Sequence, residues 1–126
     1  MLIDTDVLIW YLRGNEKARK AVDSAEPFFI SVITYMELVQ GMRNKVELRI
    51  FRNALRNWNT KIVNINEEIS SKAMFYVEQY FLSNSLEIAD ALIAATAVVN
   101  GLDVLTGNVK HYQIVKELRL KVFKIR

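Results

Sequence analysis

Three observations predict an α/β fold of three layers, with a central parallel sheet of about five short strands. Short β-branched segments alternate with helical patterns along the chain, the arrangement expected of a parallel sheet covered on both faces. Residues 88–99 are apolar on every side, which reads as a helix buried at the centre. The chain has 126 residues, 52% of them hydrophobic, which is enough for one core and one domain spanning residues 1–126. There is no internal repeat, low-complexity tract or linker, and right-handed crossovers would carry the chain between strands.

Residues 1–4 read as a short buried strand and Asp6–Leu12 as the helix that follows. Arg13-Gly14-Asn15 breaks it before a short charged helix, Glu16–Ser24. Pro27 precedes the strand Phe28–Ile30, and Ser31 caps a helix that runs through Gln40 to Gly41. Phe51, Ala54, Leu55 and Trp58 recur at helical spacing, so Lys45–Trp58 is an amphipathic helix. Lys61–Asn64 is the third strand. Asn66 caps a helix whose stripe is Ile69, Ala73, Tyr76, Val77, Tyr80 and Phe81. A polar break at Ser83-Asn84-Ser85 precedes the buried helix Ile88–Val99, which ends at Asn100-Gly101. Asp103–Thr106 and Lys121–Ile125 complete the strands.

Composition narrows the chemistry. There is no cysteine, which excludes disulfides and thiolate metal sites and fits a reducing compartment. A single histidine, His111, excludes a site built on several imidazoles. The N-terminal segment carries two acids and no basic flank, unlike a signal peptide. The longest apolar run is about half of the ~20 residues that span a bilayer, so a soluble, cytoplasmic protein is expected. A net charge of +3 leans mildly toward polyanionic partners.

The acids carry more information. Asp4, Glu37 and Asp90 stand at the ends of apolar segments, where an isolated carboxylate is costly to bury. Ligands in open parallel sheets gather beyond the carboxyl ends of the strands. Asp4 and Asp6 follow the first strand, and Thr106-Gly107-Asn108 follows the fourth. Glu37 lies about two turns into the helix after the second strand, and Asp90 in the first turn of the buried helix. Each has a structural alternative: Asp4 or Asp6 as a helix cap, Asp90 as a partner of N-terminal amides, Glu37 as a solvent-facing residue. Convergence of the three would raise their pKa values unless a cation lay between them, and such oxygen ligands suit Mg²⁺ or Mn²⁺ and phosphate chemistry.

The segments LIDTDVLI, ISVITYMELVQG, ADALIAATAVVNGLDVLTGN and KHY, in this order and spacing, resemble a PIN-domain ribonuclease, and the compact length resembles the VapC-type toxins of prokaryotic toxin–antitoxin pairs. The likeness extends from residue 2 through the final strand. It implies a PIN-like three-layer fold and an Mg²⁺- or Mn²⁺-dependent endoribonuclease. Position by position, Asp4, Glu37 and Asp90 match the three principal acids, which makes them the implied catalytic and metal-binding residues. Asn108 falls where many members have a fourth acid, Thr106 matches a small hydroxyl residue, and Asp6 is auxiliary. Asparagine at 108 brings no charge, which favours one tightly held ion over two. The resemblance also implies a homodimer and a small antitoxin protein as partner.

Lys45, Arg49, Arg52 and Arg56 recur every three or four residues and form one stripe, either a phosphate track for RNA or a solvated face. Lys116, Arg119, Lys121, Lys124 and Arg126 form a second basic group with the same two readings. His111 either touches a scissile phosphate or is structural. Trp10, Tyr11, Leu12 and Trp58 form either a partner patch or core. Among other functions, a phosphoryl-accepting receiver domain needs an aspartate after the third strand, where KIVNINEE offers Asn64 and Asn66. A non-catalytic RNA-binding protein of the same fold, and a housekeeping RNA-processing nuclease, remain as alternatives to a toxin.

Overall fold

The computed structural model describes residues 1–83 and 85–125, so Asn84 of the polar break and Arg126 of the second basic group lie outside the described residues. The elements run β1 (Leu2–Ile3), α1 (Thr5–Leu12), α2 (Glu16–Ala25), β2 (Phe28–Ser31), α3 (Val32–Gln40) and α4 (Lys45–Asn57). They continue with β3 (Thr60–Val63), α5 (Glu67–Tyr80), a 3₁₀ turn (Phe81–Ser83), α6 (Ile88–Val99), β4 (Val104–Thr106), α7 (Val109–Tyr112) and β5 (Leu120–Val122).

Local chemistry sets the helix starts. Ser31 Oγ accepts from Ile33 N at 3.0 Å, Asn44 Oδ1 from Glu47 N at 2.9 Å, and Asn66 Oδ1 from Ile69 N at 2.8 Å. Each bond satisfies an amide that the first helical turn leaves free. At the far end of α6, Gly101 adopts φ +64°, the left-handed conformation that glycine tolerates without strain.

All strand pairs are parallel, in the order β3-β2-β1-β4-β5. The chain winds outward from β1 through β2 to β3, then returns to place β4 on the other side of β1. The carboxyl ends of β1 and β4 therefore flank the topological switch point, where open α/β sheets leave a crevice. The register pairs Ile3 with Leu105, so Asp4 and Thr106 emerge side by side at that crevice.

Alternation along the strands divides the core in two. Leu2, Phe29 and Val104 face the layer of α5 and α6, with Ile69, Tyr76, Ile93 and Ala94 buried there. Ile3, Phe28, Ile30 and Leu105 face the opposite layer, against Val7 and Leu8 of α1, Val22 of α2 and Phe51 of α4. These are the three layers expected from the sequence. The buried alanines of α6 let it sit close to the sheet and α5, as its apolar character predicts. No helix among the described residues is long and apolar enough to cross a membrane.

Some boundaries differ. The third strand is Thr60–Val63, one residue earlier than expected, and the fifth is the shorter Leu120–Val122. Phe81 does not continue the buried stripe of α5; the 3₁₀ turn carries it outward, and it is 63% exposed. Trp58 is not part of a surface patch. It packs edge-on against Tyr11, with ring centroids 5.0 Å apart, and donates its indole N–H to the Tyr11 hydroxyl at 3.3 Å.

Phe51 is fully buried beside Tyr35, 5.5 Å between ring centroids, and anchors α4 to the sheet. Phe51→Ala should lower the unfolding free energy by about 3–5 kcal/mol in urea titration. A loss below about 1 kcal/mol would show that α4 is held by something else.

Candidate metal-binding and catalytic site

Asp4 is the first residue past β1 and the N-cap of α1. It is only 3% exposed, and its carboxylate accepts three hydrogen bonds. Its Oδ1 accepts from the Thr5 backbone N–H at 2.8 Å and from the Tyr112 hydroxyl at 3.1 Å, and its Oδ2 from the Thr106 hydroxyl at 2.8 Å. Burial, followed by the charge of Asp6, pushes its pKa up to about 6, against the pull of those three hydrogen bonds. Asp4 is thus both a cap and a buried acid with a like charge beside it.

Asp6 sits half-buried in the first turn of α1. Its Oδ2 accepts from Gly107 N at 2.9 Å, and burial above all raises its pKa. A side chain on Gly107 would place its Cβ 2.7 Å from Asp6 Oδ2 and 3.3 Å from the Phe123 carbonyl oxygen. Glycine is needed there for close approach of backbone to carboxylate. Thr106 is fully buried, and its oxygen also accepts from Asn108 N at 2.9 Å. One hydroxyl therefore links the exit of β4 to Asp4.

Glu37 and Asp90 join the same edge through neighbours. Glu37 is exposed on the second turn of α3, and its Oε1 accepts from the Thr5 hydroxyl at 2.7 Å. That hydroxyl also lies 3.0 Å from Thr34 Oγ1, which is fully buried. Thr5 thus binds Asp4 through its amide and Glu37 through its side chain. Asp90 is the third residue of α6 and closes a capping box, accepting from Glu87 N at 3.0 Å. It also lies 3.4 Å from His111 Nδ1, and the next residue, Tyr112, bonds Asp4. Burial, then the charges of Asp4 and Asp90, drives the Tyr112 pKa upward, so the phenol keeps its proton as a donor.

The acids of β1, α3 and α6 meet at one edge, but they do not form a ready-made cup. Among the described residues no three acids stand close enough to hold a metal ion together. Asp4 and Asp6 stand side by side on the Thr106 hydroxyl, at 2.8 and 3.5 Å, while Glu37 is tied to Thr5 and Asp90 to the Glu87 amide. The donor set still fits Mg²⁺ or Mn²⁺. It is all hard oxygen, and Mg²⁺ keeps several waters and takes only one or two carboxylates.

Sequence reasoning missed Thr5, and it placed Tyr112 in the KHY segment without its bond to Asp4. The only sequence signal for Thr5 was a hydroxyl between two candidate acids. Tyr112 belongs to α7, a single turn too short for periodicity to reveal.

Lys45, Arg49, Arg52 and Arg56 are exposed and line one shallow groove of about 420 Å³ on α4. In the second basic group, Arg119 is paired with Asp103 and donates to the Gly101 carbonyl at 2.9 Å, so its role is to brace the start of β4.

A pH dependence follows from Asp4. Its folded pKa of about 6 lies above the unfolded value of 3.8, so the native state binds the extra proton between those limits. Stability should therefore fall as pH rises through that window, by on the order of 3 kcal/mol in the absence of metal. Urea titrations in EDTA from pH 4 to 7, compared with Asp4→Asn, check this. Parallel curves for the two proteins would contradict it.

The PIN domain sequence profile matches residues 1–117. Ribonuclease VapC10 of Mycobacterium tuberculosis is 35% identical over 123 residues, covering 94% of this chain and 90% of the relative. Ribonuclease VapC1 of Methanocaldococcus jannaschii is 29% identical over 127 residues, covering 98% and 86%. A toxin–antitoxin complex from Klebsiella pneumoniae contains a chain of TM-score 0.80 and 28% identity, with 99% of this chain and 97% of that one covered. A DNA-bound VapBC structure from Salmonella typhimurium has the same fold, with TM-score 0.83 at 19% identity and 96% of each chain covered. A profile match over most of the chain, joined to a five-stranded parallel sheet with acids at its switch point, establishes that this chain belongs to the PIN domain family.

Proposed function

We propose that the chain acts as one domain, a metal-dependent endoribonuclease and the toxin of a toxin–antitoxin pair. The observation that carries this reading is a buried acid, Asp4, at the switch point of the sheet, with Asp6, Glu37 and Asp90 at the same edge. A carboxylate so placed costs stability when ionised, and a divalent cation offsets that cost. The named ribonuclease relatives and the toxin–antitoxin neighbour support the choice of RNA and of a small antitoxin as partners. Exposed Met74, Phe75, Phe81, Leu82 and Ile88 offer apolar surface for a second copy. We place the activity in the cytoplasm, where its RNA substrate is found.

Asp4 and Asp90 would hold Mg²⁺ or Mn²⁺, some ligands through water, with Asp6 adding charge beside Asp4. When bound, the ion supplies polarisation of the phosphodiester and a lower pKa for water. Glu37, the most accessible of the acids, orients the attacking water and accepts its proton. Thr5 holds Glu37 in position, while Tyr112 and Thr106 fix the rotamer of Asp4. In-line attack by water breaks the P–O3′ bond and leaves a 5′-phosphate, and the departing 3′ oxygen takes a proton from solvent. Asn108 adds no charge, which favours a single tightly held ion. Caps and amide bonds account for Asp4, Asp6 and Asp90 singly. What favours a catalyst over a non-catalytic protein of this fold is their gathering at one edge with the exposed Glu37.

Cleavage of a single-stranded RNA should require Mg²⁺ or Mn²⁺ and stop in EDTA. Asp4→Asn and Asp90→Asn should each lower kcat/KM by about 10²-fold or more. Activity that survives chelation or either substitution would exclude this mechanism. Thr5→Val should cost roughly 10–100-fold, as loss of a supporting hydrogen bond does at metal sites; unchanged rates would remove Thr5 from the account. Growth arrest on expression, relieved by a small neighbouring gene, separates a toxin from a housekeeping nuclease.

A further inference from the structure

Three surface hollows among the described residues differ in their chemistry. A groove of about 680 Å³ beside Glu37 mixes apolar side chains, Ile9, Leu12, Leu38 and Ile50, with the charges of Arg13, Arg43 and Glu47, and has no aromatic residue. The groove on α4 carries four cations and no aromatic residue. The third, of about 540 Å³, combines an aromatic, a cation, an amide and a carboxylate: Trp10, Lys124, Asn108 and Asp6, over a floor of Gly107 and Phe123. We infer that this third hollow is a nucleotide subsite that seats one RNA nucleotide adjoining the scissile phosphate. The inference rests on the ribonuclease reading and adds to it a binding position.

Position ties the hollow to the acidic edge. Asp6 lines it while accepting from Gly107 N at 2.9 Å, and Asn108 lines it while its amide bonds the hydroxyl that holds Asp4. Trp10 lies one turn along α1 from Asp6, on the same face, and is half-buried, which limits how far its ring can move. The volume falls within the ~300–1,000 Å³ of small-ligand sites. An aromatic wall suits base stacking and tolerates any base. The Asn108 side chain presents both a donor and an acceptor to a base edge. Lys124 is exposed just beyond β5 and lines the same hollow, where it offers a cation to a phosphate.

The chain has two tryptophans, and Trp58 is 6% exposed within the core, so Trp10 is the fluorophore that reports on this hollow. A short single-stranded RNA is titrated in EDTA against wild type, Trp10→Phe and Lys124→Glu. Saturable quenching is expected in wild type, most of its amplitude should vanish in Trp10→Phe, and Lys124→Glu should bind about tenfold more weakly. Quenching retained in Trp10→Phe, or equal affinity in Lys124→Glu, would overturn the subsite. Binding in EDTA needs no catalysis, so the two readings fail separately. RNA that quenches Trp10 but is never cut with Mg²⁺ supports the subsite and defeats the nuclease, whereas Mg²⁺-dependent cutting without quenching defeats the subsite alone.

Discussion

The carboxylate of Asp4 is the constraint around which the rest of the edge is arranged. It is buried at the junction of β1 and β4, with Asp6 two residues away, and burial raises its pKa to about 6. Three donors from three elements converge on it: the amide at the start of α1, the Thr106 hydroxyl on β4 and the Tyr112 hydroxyl on α7. Those bonds lower the cost of the charge without removing it. Ionised, such a group costs stability, and the proposed cation would offset that cost.

The topology explains why these residues meet. The parallel order places β1 and β4 side by side with helices leaving both, so side chains at their carboxyl ends share one crevice. α3 and α6 each bring one acid from further along the chain. Neither Glu37 nor Asp90 touches Asp4. Each is linked to it through intermediaries, Thr5 alone for Glu37 and the adjacent His111 and Tyr112 for Asp90. This spacing separates Glu37 and Asp90 from the Asp4–Asp6 pair, and among the described residues no three acids gather around one point.

Much of this was legible from the residues. Ser31, Asn66 and Gly101 mark helix ends by local chemistry that needs no tertiary context, and they stand where expected. Asp4 and Asp6 follow a strand and Asp90 opens a helix, so their common edge was readable once the sheet was parallel, whereas Glu37 lies on the second turn of α3. Strand bounds were less so: β1 has two residues and β3 carries a mixed burial pattern, so neither shows alternation. The sequence leaves Trp58 open between a partner patch and the core because its partners, Tyr11 and Phe28, are distant in sequence. The tie from Thr5 to Glu37 spans 32 residues and depends on rotamers, as does the lack of a closed acid cluster. No periodicity carries such information.

The most direct test is to locate the ion itself. Crystals equilibrated with Mn²⁺, measured for anomalous scattering, should show one strong peak beside the Asp4 carboxylate, within reach of Asp90 directly or through water. The peak should disappear in Asp4→Asn crystals of the same form. A peak elsewhere on the surface, or none at saturating Mn²⁺, would contradict the claim that this buried carboxylate exists to hold a divalent cation.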